Sequence, residues 1–257
     1  MLRAVPSTHA QMIDNLRAFN VAFARATRGG SVLELDGVVA AVTPAIPAAS
    51  IVNASVFEDV PRLRAALPRL REAYAAAGVQ AWSVWADAHD EGAAGALEDA
   101  GLRLDSTPPA MAHEDLAAVS APADEELDWT GDPAPRDYGA AMERAYGMPS
   151  GAFSGAIDDL GSELRWYVAF DNGAPVACAS TCERDGACGF YAVGTVPEAR
   201  GRGLCSRLMR RAMADAAARG CEVAVLQASA MGEPVYARLG FRTIGRMHHY
   251  EHRVRRG

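Results

Sequence analysis

The chain has 257 residues and a mass of 27.1 kDa, half of the residues apolar and 22% charged, with a mean hydropathy of -0.04. That is enough for one large domain or two of about 100 to 150 residues, and it excludes wholesale disorder, collagen-like and low-complexity classes. The formal charge of -7 is unevenly spread: Arg200 to Gly257 carries twelve Arg against four acids, a net of +8, so residues 1 to 199 hold -15. All 25 basic residues are Arg.

Taken in chain order, the N-terminus (Met1 to Arg25) lacks the apolar stretch and small-residue cleavage site of a secretory leader. No apolar run approaches the roughly 18 to 20 residues of a membrane span, which predicts a cytoplasmic protein without a membrane partner. Strands are predicted at Ser31 to Leu35 and Val38 to Thr43 across Asp36-Gly37, and near Ile51 to Phe57. A helix from Pro61 to Ala77 stops at Gly78, a strand runs from Val79 to Ala86, and a short helix from Gly92 to Ala100 stops at Gly101. Ser120 to Arg136 then concentrates Pro, Gly, Asp and Glu and loses hydrophobic periodicity, which marks a boundary.

Beyond it the same order recurs. Pro135 to Tyr146 reads as a helix, and Leu164 to Phe170, Pro175 to Thr181 and Gly189 to Val196 read as an antiparallel meander turning at Asp171-Asn172-Gly173 and Asp185-Gly186. Leu204 to Arg219 has apolar residues at 204, 208, 209, 212, 213 and 216, a helical spacing closed by Gly220. Val223 to Ala228 is a buried strand, Pro234 to Leu239 a short helix ended by Gly240, and Phe241 to His252 a final strand. Laying Gly220 on Gly78 gives an offset of 142, and laying Leu239-Gly240-Phe241 on Ala100-Gly101-Leu102 gives 139. The two halves therefore read as copies of one unit.

The five cysteines (Cys178, Cys182, Cys188, Cys205, Cys221) are an odd number without the paired spacing of a metal site, and are read as reduced, mostly buried thiols with no metal. The chemistry concentrates between Thr195 and Ser206. Gly201 and Gly203 let the backbone approach a ligand, the first N–H groups of the following helix have no intrahelical partner, and the helix dipole favours an anion. Arg200 and Arg202 add cationic arms. The segment is neither a P-loop nor a dinucleotide fingerprint, since G-x-x-x-x-G-K-S/T and G-x-G-x-x-G are both missing. A pI near 5.4 and the lack of stacking aromatics among the arginines argue against nucleic acid as a partner.

V-P-x-x-R-G-x-G (Val196 to Gly203) after an antiparallel meander, followed about 30 residues later by V-Y-x-x-L-G-F (Val235 to Phe241), resembles the GNAT superfamily of N-acyltransferases over roughly residues 130 to 252. The resemblance implies an α/β fold with a mixed sheet, built as two tandem GNAT-like domains, each a mostly antiparallel twisted sheet flanked by helices: residues 1–125 degenerate and non-catalytic, 126–257 catalytic. It implies acetyl-CoA as co-substrate, its pyrophosphate held at Arg200, Gly201, Arg202, Gly203, Leu204, Cys205 and Ser206. The pantetheine arm would pair with Gly194, Thr195 and Val196. The family pattern Q/R-x-x-G-x-G/A ends here in Cys205, small enough to keep the backbone contact. Ser229 stands where many members carry an Asn that contacts the cofactor arm. Tyr236 is implied as the general acid that protonates the departing CoA thiolate.

The reaction so implied is direct attack of a primary amine, most simply of a small molecule, on the acyl-CoA carbonyl by a monomer or homodimer. A protein or peptide amine as acceptor, and an acyl-CoA-binding regulator without catalysis, are the alternatives. For the base, Glu183, His248 and His249 are candidates, of which at most one of the adjacent histidines faces the site. In the first half the cradle corresponds to Glu58-Asp59-Val60-Pro61 and Tyr236 to Leu97, so the glycines and the proton donor are both missing. A tandem of this kind resembles mycothiol synthases, in which the C-terminal copy is the active one, although no residue here specifically reads a thiol-sugar acceptor. Acceptor pockets are shaped by loops, here the first half and Gly147 to Gly161, where Met148, Phe153 and Ile157 offer an apolar wall or core.

Overall fold

The computed structural model describes residues 7–123, 127–157, 161 and 163–254. Among these residues it is a mixed α/β structure in which twelve strands form one continuous, mostly antiparallel sheet flanked by six α-helices. The first half contributes α1 (Thr8–Ala26), β1 (Ser31–Leu35), β2 (Val38–Val42), β3 (Ala54–Phe57), α2 (Val60–Ala76), β4 (Ala81–Asp87), α3 (Ala93–Asp99), β5 (Arg103–Ser106) and β6 (Pro109–His113). The second contributes β7 (Trp129–Thr130), α4 (Pro135–Tyr146), β8 (Leu164–Asp171), β9 (Ala174–Arg184), β10 (Ala187–Thr195), α5 (Leu204–Ala218), β11 (Val223–Gln227), α6 (Glu233–Arg238) and β12 (Arg242–Arg253).

The strand order is β1-β2-β3-β4-β12-β6-β11-β10-β9-β8-β7, with β5 also on β12. Two strands cross between the halves. β6 inserts beside β11, with Ala224 opposite His113 and Gln227 opposite Ala110. The long β12 then divides its length: Arg242 to Arg246 pair with β6, while Met247 to Arg253 pair with β4 of the first half. Each half thus completes the other's sheet, and the seam in the sheet does not follow the order of the chain.

Side chains alternate across this sheet. One face, carrying Val225, Trp85, Met247, Ala110 and Ala112, packs under α1 and α4 in a single core that spans both halves. The opposite face is split, with Leu208, Met209 and Met213 of α5 over the second half and Leu63, Leu67 and Leu70 of α2 over the first. Helix α1 ties the halves together. Its Met12, Leu16, Phe19 and Phe23 point into the shared core, and Phe19 stacks on Tyr191 of β10 with ring centroids 3.8 Å apart. Asn15 donates to the carbonyls of Cys182 and Ala187 and accepts from the Tyr191 hydroxyl.

The Pro- and acid-rich segment after Ser120 is pinned where its few apolar residues allow. Leu127 is buried, Trp129 pairs with Ala169, and the Arg211 guanidinium lies 4.5 Å above the Trp129 ring. The loop after α4 is held by Glu143, whose carboxylate accepts from the backbone N–H groups of Gly151, Phe153 and Ser154 at 3.0, 2.7 and 2.6 Å. Phe153 and Ile157 are core residues, and Met148 packs against that core.

These bonds hold the Glu143 carboxyl below the ordinary carboxylate range despite the opposing effect of burial. A carboxyl depressed in the folded state stabilises above its unfolded pKa, and that stabilisation is lost as pH falls through the lowered folded value. Glu143→Gln is therefore expected to destabilise most at neutral pH, with a deficit that shrinks on acidification. Urea unfolding at pH 7 and at about pH 3 checks this, and a deficit constant with pH would contradict it.

Candidate active site

The site forms where β10 and β11 part. These parallel neighbours pair only at Ala187 with Val223, Cys188 with Ala224 and Gly189 with Val225, although β10 continues to Thr195 and β11 to Gln227. A bulge between Tyr191 and Gly194 turns β10 away, with Ala192 held at a φ of 49°. Val196 donates its N–H to Val176 of β9, so by alternation the backbone groups of Val193 and Thr195 face the opening. The Thr195 hydroxyl is buried without a hydrogen-bond partner in the protein.

The chain leaves β10, makes a 3-10 turn at Pro197–Ala199 and enters α5 through two glycines. Gly201 and Gly203 have φ of 76° and 74°, the left-handed region that other residues adopt only with strain. A Cβ at Gly201 would meet nothing, so backbone conformation rather than crowding requires glycine there. Gly203 is the N-cap of α5 and no side chain caps the helix, which leaves its first N–H groups for a ligand. An uncapped N-terminus with the positive end of a 15-residue helix behind it fits a pyrophosphate.

The arginines take other positions than free arms. Arg200 donates from Nε to the Thr195 carbonyl and from Nη2 to the Ala145 carbonyl, both at 3.1 Å, bracing the loop against α4. Arg202 lies 2.5 Å from Asp171, which depresses the Asp171 carboxyl and raises the guanidinium. Both carry positive charge beside the cradle, but structural bonds orient them. Cys205 opens the first turn of α5, and burial pushes its thiol up to about 11, so it is a neutral thiol there.

Tyr236 lies in α6, near enough to Cys205 in the first turn of α5 for the two side chains to interact electrostatically. It is buried among the residues under α5, and its ring lies against Gly232, where a Cβ would be only 2.7 Å from the ring edge. Burial, with a smaller contribution from Cys205, raises its pKa well above that of an ordinary phenol. The group is a proton-bearing donor at physiological pH. Ser229 accepts the Gly232 N–H at 3.1 Å and so fixes the turn into α6.

The three candidate bases are not brought to this opening. Glu183 forms a two-toothed pair with Arg219 at the far end of α5, about 20 Å of helix from the cradle. His249 is buried beside Trp85 with Nδ1 3.2 Å from Asp105, and burial lowers its pKa. His248 points to the other face, edge-on to Tyr250. Both histidines lie on β12, three strand spacings or about 14 Å from β10. Tyr146, the last residue of α4, belongs to no motif in the sequence, yet its hydroxyl donates to the Val193 carbonyl at 2.9 Å inside the opening.

The first half shows the contrast. Its helix α2 begins with Asp59 as N-cap, the carboxylate accepting the Arg62 N–H at 2.8 Å, and Pro61 occupies the first turn. A protein carboxylate thus sits where α5 leaves an open N-terminus. Leu97, at the position matching Tyr236, is fully buried.

Among the described residues no group of three or more His, Cys, Asp or Glu is placed to hold a metal, all five cysteines are unpaired, and no helix is long and apolar enough to cross a membrane. Residues 162–243 match the acetyltransferase (GNAT) domain family. The chain is similar in structure to a GCN5-related N-acetyltransferase from Kribbella flavida (TM-score 0.66, 19% identity, covering 93% of this chain and 95% of that one). A GCN5-related N-acetyltransferase from Sphaerobacter thermophilus gives 0.56, 18% and 94% of each chain. A tandem GNAT protein from the clavulanic acid biosynthesis pathway gives 0.55, 14% and 98% of each. No curated protein matches the sequence. At these identities the structural likeness establishes the fold, and the family match covers the elements that build the opening. Residues 162–243 thus match the GNAT acetyltransferase domain family, within a chain whose fold is similar to that of GCN5-related N-acetyltransferases over 93 to 98% of its length.

Proposed function

We propose that the chain is an N-acyltransferase that moves an acetyl group from acetyl-CoA to the primary amine of a small molecule. The observation that carries this is the uncapped N-terminus of α5 beside a splayed β10, with a proton-bearing phenol, Tyr236, near Cys205 in the first turn of α5. Backbone N–H groups from Leu204 to Ser206 hold the pyrophosphate, with Gly201 and Gly203 giving the loop its shape and Arg200 and Arg202 supplying nearby positive charge. The arm lies along Gly194, Thr195 and Val196, with Ser229, in the turn before α6, as a further polar contact. Coenzyme A supplies the activated thioester. The protein orients it against the amine, whose nitrogen bonds to the carbonyl carbon and loses a proton to solvent, while Tyr236 gives its proton to the sulfur as the C–S bond breaks and is reprotonated from solvent.

Residues 1–125 serve in this reading as a non-catalytic copy and residues 126–257 as the catalytic one. Asp59 closes the first copy's helix to anions, and Leu97 replaces the phenol. The retained task of the first copy is mechanical: α1 backs β10 and β6 completes the second sheet. The shared core holds both copies together in one chain, which works as a monomer or homodimer in the cytoplasm; among the described residues no helix is long and apolar enough to cross a membrane.

Turnover of acetyl-CoA against aminosugars, polyamines, amino acids and basic peptides tests the acceptor. The expected result is a preference for one small-molecule class, and a clear preference for peptides would overturn that part of the proposal.

A further inference from the structure

Tyr146 is 53% exposed, yet its hydroxyl is fixed on the Val193 carbonyl at 2.9 Å. Several contacts place it there. α4 ends at Tyr146 because Gly147 takes a φ of 66°, and the end of the helix is tied down by Arg200 on the Ala145 carbonyl and by Arg144 on the Pro175 carbonyl. The ring then lies across Gly194, where a Cβ would come within 3.2 Å of the Tyr146 ring and 2.7 Å of the Ala145 methyl. Glycine at 194 is what lets the phenol reach the strand.

Val193 and Thr195 are the two residues of β10 whose backbone turns toward the opening, and side chains engage both carbonyls: Tyr146 the first, Arg200 the second. An extended ligand bearing amide N–H groups adds to such an edge as a further strand does, through its backbone-like hydrogen bonds. Its amide and the Tyr146 hydroxyl then want the same oxygen. We propose that Tyr146 is a donor-site residue whose hydroxyl competes with an amide of the acyl donor's arm for the Val193 carbonyl, and whose ring, once displaced, covers that arm.

This inference rests on the acetyl-CoA reading, and its test separates the two. Tyr146→Phe keeps the ring and removes the competing hydroxyl, so acetyl-CoA is expected to bind about 2- to 12-fold tighter than to the wild type, the range of one net hydrogen bond. 3′-Phosphoadenosine 5′-phosphate has the nucleotide end but no amide arm, and its affinity is expected not to change. Calorimetric titration of the full chain with both compounds gives the answer. Unchanged or weaker acetyl-CoA binding by Tyr146→Phe overturns the inference, as does equal tightening of both compounds. Failure of the wild type to bind either compound overturns the acetyl-CoA reading, and this inference with it.

Discussion

Replacement of Gly203 by Glu is expected to weaken acetyl-CoA binding at least about a hundred-fold. Position 203 holds a φ of 74°, so a side-chain-bearing residue there lowers folding stability by about 1 to 2 kcal/mol in the free and bound states alike, and the loss of affinity comes from the new carboxylate at the open end of α5. A carboxylate about 4 Å from a phosphate charge costs about 4 kcal/mol at an effective dielectric constant of 20. The nearest atoms to a Cβ there belong to the Arg207 guanidinium at 3.6 Å, so the carboxylate would be held in place rather than swing away. The variant would reproduce what Asp59 already does at α2, a helix N-terminus satisfied by its own protein. Arg62→Ala, at the start of α2, is the control and is expected to leave binding unchanged. Equal binding by Gly203→Glu and wild type would remove the cradle from the account.

The second large effect is at Tyr236. Tyr236→Phe keeps the packing against Gly232 and removes the proton, so kcat is expected to fall about ten-fold or more while acetyl-CoA affinity stays within about two-fold. A loss confined to kcat separates proton donation from binding. Because burial raises this phenol, the wild-type rate should show no alkaline decline from its ionisation up to about pH 10, the ordinary phenol value. Steady-state rates and calorimetric affinities for the pair check both statements. An unchanged kcat would assign Tyr236 to packing and would favour an acyl-CoA-binding regulator over an enzyme.

Much of the architecture is legible in the sequence because local chemistry writes it. Asn172-Gly173 and Asp185-Gly186 carry positive φ at both positions, as the two-residue hairpin turns read from their identity require. The apolar spacing of α5 is that of the helix found, and the glycines at 201 and 203 take the left-handed φ that their identity permits. Helix α1 carries a sequence signal too, with Met12, Leu16, Phe19 and Phe23 at helical spacing behind the Ser7 cap.

What local chemistry does not write is pairing across the chain. β5 and β6 are four and five residues long, and nothing in Pro109 to His113 says that they lie beside Ala224 rather than beside β4. The same holds for partners of long side chains. Arg200 and Arg202 read as arms for a ligand, and only the fold brings the Thr195 and Ala145 carbonyls and Asp171 within their reach. Glu183 and His249 read as bases until Arg219 and Asp105 arrive beside them from distant segments. Tyr146 escapes for a related reason, since its role depends on a bulge in a strand 47 residues away.

In the proposed reading one half of this chain binds the acyl donor and the other has closed the equivalent site. Calorimetric titration of the full chain with acetyl-CoA tests it most directly through the stoichiometry. The expected result is one site per chain, lost in Gly203→Glu and kept in Arg62→Ala; two sites, or no binding heat at any concentration of the wild type, would overturn the proposal.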